Sequence, residues 1–483
     1  MQRVFFRNLA ILVALNVLIK PLWILGIDRT VQNTVGQSNY GIYFALFNLS
    51  FLSQIFLDLG ISSYNNKHLS QFSSELKNYF SRLFTIKLLL SFLYLFITIV
   101  AGYFLRLNTY QLYMLLALCF NQILASLIIY VRSNISALHF FVVDSFLSIM
   151  DKAIMIIFCS ILLFTNLLNV QFSIEWFIGS QTAAYFITLI FSILWLSKHS
   201  GWLKFSFDKL FTIQLLKDCL PFALLIFLMG IYNKTDGVMI ERLLGDNGST
   251  EAGVYASAYR LVDAMNQFGY LFAALLLPIF SRMLVQKKSI ENLAKTSFTS
   301  IFVFAWISCL LLFSYRIQVM HLLYHETSDY SGNVLGLIIF SFIGSSSIYI
   351  FSTLLTANGN LKQLILIAVS GTLLNLGGNY FLIQKFGAGG AAIMCSITQI
   401  SVAVLQIILS KKIFGFRFNH QLIFKLGIYC LVTTGFIFGL RSLYFSWIIQ
   451  IGIGAIVMLL VSFVLKLFRI NDVLQLVKPE NTN

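Results

Sequence analysis

One long apolar segment, Ala252–Phe280, carries a stripe of polar side chains. Tyr255, Tyr259, Asp263, Asn266 and Tyr270 follow one another at spacings of four, four, three and four residues. These spacings put all five side chains on one face of an α-helix. Arg260 and Gln267 widen this face, whereas the opposite side is Leu, Ala and Val. The segment therefore predicts a helix with one surface of hydroxyl, amide and guanidinium groups, which suits a polar ligand.

Charged side chains also interrupt other apolar segments. Lys20 lies in the first of them, Lys234 and Asp236 lie in another, and Asp58 lies near the end of a third. A charge at the centre of a membrane helix costs about 2.5–3.5 kcal/mol, so such residues face protein or a water-filled cavity. We expect one shared aqueous cavity, with Lys20, Lys234 and Arg260 as its cationic groups and the polar stripe as part of its lining.

Two other interpretations of these charges stay open. Asp236 and Asp263 could be structural partners of Lys234 and Arg260 across neighbouring helices. Alternatively, an intramembrane carboxylate (Asp58, Asp236 or Asp263) could bind a coupling cation.

Some polar residues favour a structural interpretation. Four charged residues lie near the ends of predicted helices, namely Lys87, Asp144, Asp151 and Lys152. We interpret them as interfacial, because long charged side chains near helix ends extend toward the membrane surface. Asn375 and Asn379 lie one helical turn apart and are interpreted as hydrogen-bonding groups between helices.

The composition shows whether the chain folds in water or in a lipid bilayer. Of its 483 residues 58% are hydrophobic and 11% are charged, and the mean hydropathy is +0.85. Soluble domains carry roughly 25% charged residues. The chain is therefore expected to be an all-α integral membrane protein. Its six cysteines are isolated in apolar runs without CxxC or a nearby His, so we expect small packing residues and no metal site.

Helices that cross a membrane need about 20 apolar residues. The sequence predicts about 14 such spans: Phe5–Ile27, Ile42–Ser62, Leu83–Leu105, Leu112–Val131, Phe140–Thr165, Ile174–Leu196, Leu215–Leu243, Ala252–Phe280, Phe298–Leu323, Val334–Ala357, Leu361–Phe386, Ala388–Leu409, Leu422–Leu440 and Phe445–Leu467.

With a cytoplasmic N-terminus, about 20 Lys and Arg fall in the tails and inner connections and about 5 in the outer ones. This bias supports cytoplasmic termini and explains most of the net charge of +15. Nucleic-acid binding is therefore not expected.

Several classes of enzyme lack their sequence features here. No connection exceeds about 20 residues, which is too short for a soluble domain of roughly 50. No GxxxxGK[ST], HExxH or GxSxG occurs, which argues against ATP hydrolysis and against two common hydrolase sites. A membrane glycosyltransferase or polymerase would need a catalytic carboxylate and normally a sizeable outer loop. The acid-bearing outer connections, Glu241–Glu251 and Tyr324–Tyr330, are short. We therefore expect a protein that is not an enzyme.

A short pattern indicates an internal duplication. Lys20, Gly36 and Gly41-Ile42-Tyr43 are matched, about 210 residues later, by Lys234, Gly245 and Gly253-Val254-Tyr255. Repeats that meet at a central site are the usual plan of secondary transporters. The predicted organisation is a six-helix lobe over 1–200, a second over 201–415, two additional helices over 416–470 and a short cytoplasmic tail over 471–483.

Several motifs carry a resemblance to a known family. They are Gly41-Ile42-Tyr43 with Asp58-Leu59-Gly60; Asp236, Gly253-Val254-Tyr255, Tyr259-Arg260-Leu261, Pro278 and Ser281-Arg282; and Gly371-Thr372-Leu373-Leu374-Asn375, Asn379-Tyr380, Gly387, Gly390-Ala391-Ala392 and Thr398. Together they cover nearly the whole chain. They resemble the polysaccharide-export and O-antigen flippases of the multidrug/oligosaccharidyl-lipid/polysaccharide (MOP) exporter superfamily.

The resemblance implies two six-helix lobes, as in multidrug and toxic compound extrusion (MATE) transporters, around a central cavity that works by alternating access. It implies an undecaprenyl-diphosphate-linked oligosaccharide substrate (an O-antigen, capsule or exopolysaccharide unit) in the bacterial inner membrane. Lys20, Lys234 and Arg260 would bind the diphosphate. The sugars would contact Tyr255, Tyr259, Asn266, Gln267 and Tyr270. No cofactor is expected, a Na+ or H+ gradient is the candidate driving force, and membrane lipids and a polysaccharide polymerase are candidate partners. The alternative is a cation-coupled exporter of small molecules, in which an acidic cavity would dominate.

Overall fold

A computed structural model describes residues 16, 18–61, 76–138, 140–165, 171–200, 207–416 and 420–467. Over these residues the fold is all-α, with seventeen α-helices and no strand. The prediction of an all-α polytopic membrane protein is therefore confirmed. Its six cysteines are free thiols, of which five are buried.

The helices of the first half begin after a π-helical stretch, Leu22–Asp28. They are α1 (Arg29–Val35), α2 (Gln37–Leu52), α3 (Ile55–Asp58), α4 (Leu76–Phe104), α5 (Thr109–Ala137), α6 (Phe141–Phe164), α7 (Ile174–Ser200), α8 (Lys209–Leu243) and α9 (Gly248–Val285). The second half continues with α10 (Glu291–Ser314), α11 (Arg316–Leu323), α12 (Asp329–Ile338), α13 (Ser341–Ala357), α14 (Leu361–Phe386), α15 (Ala388–Phe414), α16 (His420–Arg441) and α17 (Trp447–Val464). Local signals set some of these boundaries. A capping box of Asn108 and Gln111 starts α5, and the Asp208 carboxylate accepts a hydrogen bond from the Phe211 amide at the start of α8.

Twelve segments of the described chain are long and apolar enough to cross a membrane. They correspond to twelve of the fourteen predicted spans. Of the other two, about half of Phe5–Ile27 lies outside the described residues, and Ala252–Phe280 lies within α9, the helix with the polar stripe. The predicted count of fourteen is thus approximate.

The predicted span Phe298–Leu323 is wrong at its C-terminal end. Helix α10 ends at Ser314, and Tyr315 adopts φ −114° and ψ 23° before the short helix α11 begins. The buried Tyr315 hydroxyl donates to Gln450 Oε1 of α17 at 2.9 Å. The predicted span ran through this break because Arg316, Gln318 and His321 of α11 alternate with apolar residues.

By its internal contacts the chain divides into two compact units, Met1–Ala256 and Ser257–Asn483. In the first unit, α8 packs along α2, and α5 packs against α2 and α7. In the second unit, α13 and α14 pack on α15, while α16 and α17 pack against α10. The lobes expected over 1–200 and 201–415 and the additional helices over 416–470 stay a prediction.

Close helix contact in the second unit depends on Gly344 of α13. A Cβ atom at this position would lie 2.4 Å from the backbone carbon of Gln399 in α15. We predict that Gly344→Ala lowers the free energy of unfolding by about 1–3 kcal/mol, because backbone cannot yield to the added methyl group. Thermal unfolding of the purified protein in detergent measures the change. Gly435→Ala in α16 is the matched control, since a Cβ there meets nothing within 4 Å. Equal midpoints for the two variants would contradict the prediction.

Candidate functional site

The first unit contains a group of charged residues around α6. Lys20 interacts electrostatically with Lys152, Asp151 and Arg132, and the Arg132 Nε donates to Asp144 Oδ1 at 2.8 Å. These five charges, three basic and two acidic, sum to +1. We call this group, together with Tyr185, the α6 cluster. All of it except Lys20 was absent from the predicted site.

Aromatic rings hold Lys152 within the α6 cluster. Its Nζ lies 3.3 Å from Asp151 Oδ2 and donates to the Tyr185 hydroxyl at 3.2 Å. The same Nζ lies 5.6 Å from the ring centroid of Trp23 and 5.2 Å from that of Tyr185. A cation over aromatic faces is stabilised by the ring quadrupole. The interfacial interpretation of Lys152 is therefore wrong, because the side chain lies among rings from two other helical segments. In the sequence, Asp144, Ser148 and Lys152 follow one another at intervals of four residues, which puts them on one helical face. This spacing was the sequence signal for the site.

Lys234 lies in α8, in the same unit. The side chain is partly buried, and its Nζ lies 5.6 Å from the ring centroid of Phe51 on α2. An ammonium group over a phenyl face keeps its charge while contacting an apolar surface. Lys234 is thus compatible with a cationic role, and that role stays a prediction.

Two residues of the predicted site form a buried pair. Tyr255 and Asp236 are each 1% exposed, and the Tyr255 hydroxyl donates to Asp236 Oδ2 at 2.5 Å. A similar pair lies in the first repeat, where the buried Tyr40 hydroxyl donates to Asp28 Oδ2 at 2.6 Å. Both pairs lie beside the glycine motifs that indicated the duplication. This arrangement favours a structural role for Tyr255 and Asp236.

Asp58, whose side chain is partly buried, makes an ion pair with a buried lysine of the first unit. Its Oδ1 lies 2.6 Å from Lys87 Nζ, and Lys87 is only 1% exposed. Lys87 also donates to Ser126 Oγ at 2.9 Å and lies 5.7 Å from the Tyr130 ring centroid. The interfacial interpretation of Lys87 is therefore wrong. The pair ties α3 to α4 and favours a structural role for Asp58 over cation coupling.

The remaining residues of the polar stripe lie in the second unit. Arg260 NH1 lies 3.4 Å from Asp263 Oδ2, three residues further along the same helix α9. The interpretation of Asp263 as a partner across neighbouring helices stays a prediction. Asn266 Oδ1 accepts a hydrogen bond from Ser345 Oγ of α13 at 2.7 Å. Part of the stripe thus packs against α13.

Exposure differs along the rest of the stripe. Tyr259 is buried, Gln267 is partly buried and Tyr270 is 55% exposed. The stripe therefore offers Tyr270 and part of Gln267 to a ligand, while Tyr259 contributes mainly to packing.

The amide pair of α14 lies inside the protein, and its interpretation as a hydrogen-bonding group between helices stays a prediction. Asn375 and Asn379 are both fully buried, and Asn379 Nδ2 donates to Asn375 Oδ1 at 3.1 Å. Among the described residues, no group of three or more His, Cys, Asp or Glu could hold a metal ion.

The fold is shared with transporters of known structure. The lipid II flippase MurJ, in an inward closed conformation, aligns with a TM-score of 0.67 and 17% identity over 92% of this chain and 96% of that chain. A multidrug resistance MATE family transporter of the MOP superfamily, in an inward-facing conformation, aligns with a TM-score of 0.63 and 12% identity over 83% and 94%. A MATE transporter of Vibrio cholerae gives a TM-score of 0.61 and 12% identity over 85% and 97%. The chain thus has the MurJ- and MATE-like fold.

A family model assigns the chain more narrowly. The model described as polysaccharide biosynthesis protein matches residues 5–284, more than half of the chain. The protein therefore belongs to the polysaccharide biosynthesis protein family. A comparison with curated protein sequences gave no match.

The Lys87–Asp58 pair generates a stability prediction. We expect Lys87→Met to lower the free energy of unfolding by about 3 kcal/mol, because removing one partner of a buried ion pair strands the other charge. The control is Lys295→Met, which breaks the within-helix pair with Glu291 and should cost less than about 1 kcal/mol. Adding Asp58→Leu to Lys87→Met should restore part of the loss. Equal thermal midpoints for the two lysine variants, measured in detergent, would show that the pair is energetically unimportant.

Proposed function

We propose that the protein is a flippase that moves an undecaprenyl-diphosphate-linked oligosaccharide across the bacterial inner membrane by alternating access. The glycan would be a repeat unit of O-antigen, capsule or exopolysaccharide. The observation that carries this proposal is the α6 cluster, a net cationic group within apolar helices. The step is transport rather than catalysis, and both termini would lie in the cytoplasm.

The α6 cluster has the chemistry that an acidic lipid headgroup requires. A diphosphate in the membrane needs cations and hydrogen-bond donors that replace its hydration. Lys20 and Lys152 supply ammonium groups, and the Tyr185 hydroxyl supplies a further polar group next to them. The carboxylates of Asp144 and Asp151 offset part of the positive charge. Partial neutralisation favours release of the headgroup after transport, because binding to uncompensated cations would be too strong.

The sugars of such a substrate need different contacts. Amide and hydroxyl groups exchange hydrogen bonds with sugar hydroxyls, and aromatic rings provide flat apolar surfaces. Tyr270 and Gln267 on α9 supply these groups where they are accessible. Lys234 and Arg260 remain candidates for the diphosphate. The Asp263 carboxylate beside Arg260 lowers the positive charge there, which makes Arg260 the weaker of the two.

The energy source and the partners belong to the same proposal. A Na+ or H+ gradient would drive the cycle, and a polysaccharide polymerase would use the flipped product. The pairing of Asp58 with Lys87 and of Asp263 with Arg260 weakens the case for an acidic cavity. A cation-coupled exporter of small molecules is therefore the second candidate, supported by the MATE-like fold.

We predict that replacing Lys20, Lys234 and Arg260 together by alanine reduces flipping at least tenfold (about 1.4 kcal/mol of lost interaction). A deletion strain should accumulate undecaprenyl-linked intermediates in the inner leaflet, and the triple variant should fail to clear them. The control replaces three exposed lysines, Lys287, Lys362 and Lys412, and thus changes the net charge equally.

Retained flipping in the first triple variant would count against the cationic site. Efflux of small cationic molecules from vesicles, without any change in lipid-linked sugars, would favour the exporter.

A further inference from the structure

The connection between α4 and α5 contains an arginine in a backbone conformation that favours glycine. Arg106 has a φ of 53°, in the left-handed region. Its amide donates to the Tyr103 carbonyl oxygen at 2.9 Å, and the Leu107 amide donates to that of Gly102 at 3.1 Å. These two bonds form a Schellman motif at the end of α4, and its left-handed position is usually glycine. Gly359 takes the same position after α13.

The charge of Arg106 is also unusual for its side of the membrane. Lys287 after α9 and Lys466 after α17 take the same left-handed position. Both lie on the side that the distribution of basic residues assigns to the cytoplasm, where Lys and Arg are favoured. Arg106 lies in an outer connection, and the outer connections carry only about 5 of about 25 such residues. Backbone preference and charge distribution therefore both disfavour arginine at this position.

The connection that carries Arg106 is held in place from α8. Arg242 NH1 donates to the Leu105 carbonyl oxygen at 3.1 Å, and NH2 donates to Gln111 Oε1 at 3.0 Å. Gln111 also belongs to the capping box that begins α5. Arg242 thus bonds to both ends of the connection and fixes the backbone on either side of Arg106. A backbone fixed in this way lowers the entropy cost of binding a ligand.

A cavity of about 550 Å³ lies beside Arg106 and is lined by Tyr103, Phe104, Arg106, Leu107 and Leu112. Tyr103 and Phe104 are each 78% exposed, and their ring centroids lie 6.3 Å apart. Arg106 is exposed, and among the described residues no ion pair or hydrogen bond involves its side chain. Cavities that bind small ligands measure about 300–1,000 Å³. The volume therefore suits a lipid headgroup rather than a long glycan.

The lining of this cavity matches the chemistry of a phosphate-bearing lipid. A guanidinium group carries a permanent charge and binds phosphate oxygens in a bidentate geometry. Aromatic side chains are enriched at the level of lipid headgroups, where a ring contacts apolar groups and a hydroxyl contacts polar ones. Tyr103 and Phe104 lie two or three residues before Arg106 and line the same cavity. A phosphate at Arg106 would therefore have the rest of its lipid against these two rings.

We propose that this cavity, which we call the Arg106 site, binds the phosphate group of a lipid in the outer leaflet. The phosphate accepts hydrogen bonds from Arg106, and the rings of Tyr103 and Phe104 contact the part of the lipid next to the phosphate. Two kinds of lipid offer this chemistry, a phospholipid and a polyprenyl diphosphate. The inference does not rest on the proposed function, because a transporter of any substrate can hold such a lipid at its surface.

Native mass spectrometry of the purified protein in detergent, with added lipid, tests the Arg106 site. Arg106→Gly should weaken the binding of phosphatidylglycerol or of undecaprenyl diphosphate about tenfold, or about 1.4 kcal/mol. Arg106→Lys should lose less, because it keeps the charge without the bidentate geometry. Dioleoylglycerol, which has no phosphate, should bind equally to all three proteins. The control is Lys385→Gln, which removes an exposed charge from the last turn of α14 and should leave binding unchanged.

The two lipid probes identify the source of the phosphate. A loss confined to phosphatidylglycerol would assign the Arg106 site to a phospholipid, and a loss confined to undecaprenyl diphosphate would assign it to a polyprenyl lipid. A loss for both would support binding of phosphate from either source. Unchanged binding of both lipids by the Arg106→Gly variant, or an equal loss in the Lys385→Gln variant, would overturn the proposal.

Thermal unfolding separates ligand binding from a structural reason for the arginine. A basic side chain near a helix C-terminus interacts favourably with the helix dipole, whereas glycine adopts the left-handed conformation without strain. If Arg106 serves a ligand, the Arg106→Gly variant without added lipid should unfold at the same midpoint as the unchanged protein or about 1 °C higher. A lower midpoint would show that Arg106 stabilises the end of α4 and would overturn the Arg106 site.

Discussion

The cost of placing polar groups in an apolar medium determines much of this structure. In a membrane the hydrophobic effect does not drive helices together, so packing of small residues and interhelical polar contacts take its place. Lys87 with Asp58 and Arg132 with Asp144 are such contacts in the first unit. In the second unit the Trp306 indole donates to Thr433 Oγ1 at 3.0 Å. Helix assembly therefore depends on a limited set of specific partners, and removal of one partner is more damaging than removal of a surface charge.

The α6 cluster differs from the other polar contacts in its charge balance. Lys87 and Asp58 neutralise each other, and the Tyr40–Asp28 and Tyr255–Asp236 pairs use a neutral hydroxyl as donor. The five charged groups of the α6 cluster instead comprise three basic and two acidic side chains. Charged side chains within apolar helices need polar partners, water or an anionic ligand. This difference separates the groups that hold the fold from those proposed to bind the substrate.

Sequence patterns predicted the helices well and their partners poorly. Hydropathy located most spans because each span is set by local composition, whereas the contact of Tyr315 with Gln450 joins residues far apart along the chain. Spacing identified the polar stripe of α9 but could not show that Asn266 contacts Ser345. For the same reason Lys87 and Lys152 were interpreted as interfacial. Position along one helix does not reveal which other helix lies opposite.

The glycine motifs show how one signal can carry two meanings. Their recurrence indicated a duplication, but only the structure brings Gly41 and Gly253 into contact with the opposite repeat. The same contact accounts for the first unit extending to Ala256, beyond the repeat boundary expected near residue 200, because α8 and the first turns of α9 pack there against α2.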